Sequence, residues 1–151
     1  MDDHYSAPRR WSALAYRLFA TAAAMLACGQ PVLAGGFLQG HYSMLAAHRD
    51  AAMVLAGALL LALSAAVLNW RTGGAPGRLP VLSAAALLLC GGQIGLGFAR
   101  ELVIHVPLGV AIVALVLRTA LLGWRLPLPR RTPVADRAAS AGAARAAEVD
   151  A

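Results

Sequence analysis

The chain reads as an all-α integral membrane protein, a four-helix up-down-up-down bundle with two hairpin repeats. Three observations carry that expectation. The 151 residues are 60% hydrophobic and 13% charged, with a mean hydropathy of +0.66. That is more apolar surface than a soluble domain of this size carries, and its apolar runs reach the roughly 18–20 residues a membrane helix needs. Polar or Gly/Pro-rich breaks cut the apolar sequence into four such runs. Finally, the stretch Gly91 to Gly109, GGQIGLGFARELVIHVPLG, has a weaker copy upstream. In each, a Gln sits late in one apolar helix and a His opens the next, across a turn expected to be four to six residues in the stronger copy.

Taking the elements in order, residues 1–10 (MDDHYSAPRR) are polar and read as a disordered lead-in to a transmembrane domain at 11–125. The first helix is expected over about residues 12–36, because Leu18 to Leu38 is free of charge. A rival reading exists here. Arg9-Arg10 ahead of an apolar run, then Val32-Leu33-Ala34 before Gly35, also fits a signal peptide that would remove residues 1–34. Retention is favoured because Gln30 is matched by Gln93, in a segment that cannot be a signal. The second helix is expected over 44–70, with Ser43 as its cap and Trp70-Arg71 as an interfacial anchor; TGGAPG is a loop. The third spans about 80–98, with Pro80 in its first turn. The fourth spans about 102–124 and again closes on Trp-Arg, with Pro107 early enough to be tolerated. Residues 126–151 are rich in Pro, Arg and Ala and read as a disordered cytoplasmic tail.

The net charge of +6 comes from thirteen Arg and no Lys. No basic patch interleaved with aromatic residues is present, so nucleic acid is not expected as a partner; the lipid bilayer is. Arg9, Arg10, Arg71, Arg78, Arg125, Arg130 and Arg131 fall on one side of a four-pass layout, and only Arg49 and Arg100 on the other. The positive-inside rule then places the protein in the cell membrane with both termini cytoplasmic. Arg17 and Arg118 are expected to snorkel to the inner side.

In this layout Gln30, His48, Gln93 and His105 each lie within about 10 Å of the outer ends of their helices. Polar groups at that depth are costly unless they face the interior and find partners. One turn further along stand Ala34, Ala52, Gly97 and Gly109, all small. Two readings follow. In one, His48 and His105 are metal ligands, holding the iron of a b-type haem between the second and fourth helices. Arg49 and Arg100 then pair with its carboxylates, and Gln30 and Gln93 donate to a propionate or a ring edge. In the other, the same residues hydrogen-bond across helices without any cofactor, and the small residues permit close packing.

A Gln late in one helix, a short outer turn and a His opening the next, occurring twice, resembles half of a haem A synthase. QIGLGFARELVIHVPLG is similar to that family's third-to-fourth helix hairpin, and AAHR to the His-Arg pair opening its second helix. The likeness covers roughly residues 20–120. It implies four helices with haem-ligating His on the second and fourth. It carries over binding at His48 and His105 rather than oxidation chemistry. Leu45 stands where the catalytic half has a Glu, and Cys28 and Cys90 lie inside helices rather than in outer loops. The chain is also similar to small actinobacterial four-helix membrane proteins of unassigned function.

The expected role is electron transfer or haem handling beside a quinone or respiratory-chain partner, more a binder than an enzyme. The alternative is a non-catalytic membrane scaffold or accessory subunit without cofactor. A transporter is disfavoured, since the helix centres are almost wholly Ala, Leu and Val. Cys28 and Cys90 occupy matching positions and read as small packing residues. His41, in the outer loop, ranks below His48 because it has no counterpart in the second hairpin.

Overall fold

A computed structural model describes residues 6–72 and 75–128, and among these residues the chain is all helical. Helix α1 spans Ser6–Leu38, α2 Ser43–Arg71, α3 Arg78–Ala99 and α4 Leu102–Arg125. Each is long and apolar enough to cross a membrane. α1 starts at Ser6 rather than near residue 12. The expected tail falls on residues outside the description from 129 onward; before it, Leu126 leaves α4 in extended backbone.

The helices form a ring in which α1 packs on α2 and α4, and α3 packs on the same two. What each turns inward follows a spacing of four, three, four. On α1 the buried residues include Tyr16, Ala20, Ala23 and Ala27; on α2, Leu55, Leu59, Ala62 and Ala66; on α3, Leu79, Ser83, Ala86 and Cys90. α4 continues the rule with Ile112, Val116, Thr119 and Gly123. This 3.5-residue period is the seam of helices packed at shallow crossing angles. Small side chains dominate it, while Leu60, Val81, Leu88, Val110 and Leu121 stay exposed on the outside. An apolar exterior suits contact with lipid. There the attraction between helices comes from close packing and hydrogen bonds rather than from hydrophobic burial.

The inner seam between α1 and α4 is fixed by polar contacts. The buried Tyr16 hydroxyl donates to the Thr119 carbonyl at 3.1 Å. Gly123 lets the phenol lie against α4, since a Cβ there would come within 2.6 Å of Tyr16 Cε1. Arg17 was expected to snorkel. Instead it donates from Nε to the Gly123 carbonyl at 3.1 Å and from a terminal nitrogen to the Leu126 carbonyl at 2.5 Å. These carbonyls lie at the end of α4, where the helix dipole favours a cation. The guanidinium also lies 5.0 Å over the Trp124 ring, whose indole N–H donates to Thr21 Oγ1 at 3.0 Å.

The two tight turns are built alike. After α1, Gly40 adopts φ +96°, and the N–H groups of Gly40 and His41 reach back to the Phe37 and Gly36 carbonyls. After α3, Arg100 adopts φ +61°, and the N–H groups of Arg100 and Glu101 reach the Gly97 and Leu96 carbonyls. Both are Schellman closures, which need one left-handed residue. The second turn is correspondingly shorter than expected: only Arg100 and Glu101 lie between α3 and α4. Ser43 is not the cap of α2. Tyr42 precedes the helix without a capping hydrogen bond, and the first N–H groups go to the His41 and Tyr42 carbonyls. Pro107 lies deeper in α4 than an unpaired first-turn position. It removes a bond to the Val103 carbonyl, one turn back at an exposed residue.

Candidate functional site

A cavity of about 300 Å³ lies at the end of the bundle carrying the two tight turns, and all four helices line it. Helix geometry brings this about. The last turns of α1 and α3 supply Gln30 and Gln93, and the first turns of α2 and α4 supply His48 and His105. The small residues one turn further along, Ala34, Ala52, Gly97 and Gly109, line the same space. The rest of the lining is largely apolar and includes Phe37, Leu45, Phe98, Leu102, Ile112 and Val113.

The two imidazoles meet across the ring of helices. Their centroids are 6.3 Å apart, with the planes inclined at 57°. His48 stands on α2 and His105 on α4, a pair of helices with no direct backbone packing. Two imidazoles on opposite sides of one metal ion, with nitrogens at about 2.0–2.1 Å, would place their centroids roughly 6–6.5 Å apart.

Hydrogen bonds tie each ring to its own hairpin. His105 Nδ1 lies 3.0 Å from the Gln93 carbonyl. A carbonyl can only accept, so Nδ1 carries the proton and the Nε2 lone pair is left for another partner. The Gln93 side chain donates from Nε2 to the His105 carbonyl at 2.8 Å. Its Oε1 is the buried side-chain oxygen that has no partner among the described residues. A buried unpaired acceptor costs about 1–3 kcal/mol, so one beside a cavity is an attachment point for a donor. In the first hairpin, His48 Nδ1 lies 3.3 Å from the Gln30 carbonyl. Turned to satisfy both ends of its amide, Gln30 donates to the His48 carbonyl at 3.2 Å and accepts from the Ala52 N–H at 3.2 Å.

Glycines shape the second half of the site. A Cβ at Gly97 would lie 3.0 Å from His105 Cε1, so the bare backbone of α3 lets the ring lie against it. A Cβ at Gly109 would lie 2.9 Å from Gln93 Nε2. Side chains in either place would displace the groups that hold His105.

Comparison with known protein families, with curated proteins and with solved structures finds no match for this chain. What the site does is therefore argued from its own residues.

Arg49 and Arg100 part company. Arg49 lines the cavity and lies 5.8 Å over the Phe98 ring, whereas Arg100 is an exposed turn residue that is not part of the lining. The Gln93 and Gln30 amides bond to the His-bearing helices α4 and α2, as in the reading with hydrogen bonds across helices. His41 is exposed in the first turn and does not line the cavity. Cys90 is buried at the cavity wall and Cys28 is exposed, and both thiols are free. The aromatic wall of Phe37 and Phe98 was not singled out in the sequence. Both lie near helix ends at a register set only by how the helices rotate on packing. Among the described residues no group of three or more His, Cys, Asp or Glu forms a metal set. Two imidazoles are a short ligand set for a bare ion, and suit a metal that brings its own equatorial donors.

Proposed function

We propose that this is a four-pass, up-down-up-down membrane protein of two hairpin repeats that binds one b-type haem through His48 and His105. The single observation that carries the proposal is the 6.3 Å approach of the two imidazoles within a cavity lined by all four helices. Bound there, the iron of the haem supplies reversible one-electron chemistry. The chain's own residues do the rest. His105 is oriented by the Gln93 carbonyl, so its Nε2 lone pair is available. Gly97 admits the ring against α3, and the largely apolar lining would surround the cofactor. Arg49, exposed at the rim over Phe98, suits a carboxylate leaving the cavity toward the headgroups.

The distribution of arginines supports both termini on the cytoplasmic side, with the cavity near the outer face. With both imidazoles given over to the haem, the proposed role is electron transfer or haem handling beside a quinone or respiratory-chain partner. The second reading, a scaffold without cofactor, draws on one observation. Every His and Gln in the layer already bonds within its own hairpin. Absorbance separates the two. Protein purified in detergent from haem-replete cells should show a Soret band, abolished in His105→Ala and in His48→Ala. A colourless wild type favours the scaffold, and a band untouched by both changes overturns His48 and His105 as the ligands.

A further inference from the structure

The two histidines are not equivalent, and the difference lies in which nitrogen holds the proton. Among the described residues the hydrogen-bond partner of His105 Nδ1 is the Gln93 carbonyl, and the Gln93 amide nitrogen donates to the His105 carbonyl. At His48 the Gln30 amide, in the orientation that pairs both its ends, also donates to Nδ1 at 2.9 Å. The competing carbonyl contact is longer, 3.3 Å. The amide requires Nδ1 to accept, and the carbonyl requires it to donate; one nitrogen cannot do both.

The residue matching Gly109 on α2 is Ala52, whose N–H donates to the Gln30 side-chain oxygen at 3.2 Å in that orientation, so the amide is held with its nitrogen beside the His48 ring.

We infer that Gln30 is a positioning residue that holds His48 as the Nε2–H tautomer, making His105 the preformed ligand and His48 the gated one. The gating rests on the haem reading above; the tautomer assignment does not. To ligate through Nε2, His48 must move its proton to Nδ1, where the Gln30 carbonyl accepts it, and the Gln30 amide must give up its bond to Nδ1. Atoms balance within the ring, and no other reactant is needed. Giving up one such bond costs about 1 kcal/mol, equivalent to about fivefold in affinity.

Imidazole ¹⁵N spectra of the full-length haem-free protein in detergent, above the pH at which imidazole protonates, read the tautomers directly. His48→Ala and His105→Ala assign the signals. The expected result is a proton on Nδ1 of His105 and on Nε2 of His48. The His48 proton should move to Nδ1 in Gln30→Leu. Gln93→Leu should leave both tautomers alone. Titration with hemin should then show about fivefold tighter uptake by Gln30→Leu than by wild type. A wild-type His48 protonated on Nδ1 overturns the inference while leaving the haem reading intact. The expected tautomers with no hemin uptake by any variant remove the haem reading and the gating, and leave the tautomer assignment standing.

Discussion

At the scale of single residues, the site is made as much by missing atoms as by polar ones. Gly97 is the clearest instance, because the His105 ring occupies the space its side chain would take. Gly97→Val should therefore rotate the imidazole off the cavity and lower haem occupancy. The Soret absorbance per mole of protein checks this; unchanged occupancy would show that the ring has other room. Tyr16→Phe probes the opposite end. It removes the hydroxyl that donates to the Thr119 carbonyl, leaving the phenyl ring packed on Gly123. A loss of about 1 kcal/mol in unfolding free energy is expected, with the haem band unaffected because the site is remote.

At the scale of elements, the tight turns and the α1–α4 seam set how the helices meet. Gly40 and Arg100 perform the same left-handed closure, but only glycine does so without strain. Arg100→Gly should stabilise the α3–α4 hairpin by about 1 kcal/mol, and Gly40→Ala should destabilise the α1–α2 hairpin by a similar amount. Thermal unfolding in detergent would show midpoint shifts of opposite sign. Arg100→Gly also tests the site, since an arginine outside the cavity lining should be dispensable for haem. At the seam, Arg17 ties α1 to the carbonyls ending α4. Arg17→Ala should cost about 1–2 kcal/mol after allowance for partial exposure, and Arg17→Lys should recover only part of it.

At the scale of the whole molecule, the bundle has a tight polar seam at one end and a cavity at the other. The proposed orientation makes the cavity end the outer one. With Cys28 and Cys90 replaced by Ala, Gln39→Cys should react with an impermeant thiol reagent added outside intact cells. Thr72→Cys should react only after the membrane is opened. Reversed labelling would overturn the orientation, and labelling of both from one side would overturn the up-down arrangement.

Much of this was legible in the chain before any fold was known. Apolar runs of membrane-spanning length form helices in lipid, where each backbone group is bonded within its own segment. Hence four helices, and the placement of Gln30, His48, Gln93 and His105 near one set of helix ends, followed from residue order and rise alone. The inward faces were harder to read, because the outer surface is apolar too and hydropathy does not separate Ala66 inside from Val67 outside. Size does, through the recurrence of small residues every three or four positions. What only the tertiary structure decided was rotation and partnership: that Arg49 lines the cavity and Arg100 does not, that Cys28 turns away from Cys90's side, and that the Gln amides grip the opposite helix of their own hairpin. These depend on angles of a few tens of degrees about each helix axis. Such angles are set by packing against neighbours rather than by anything local in the chain.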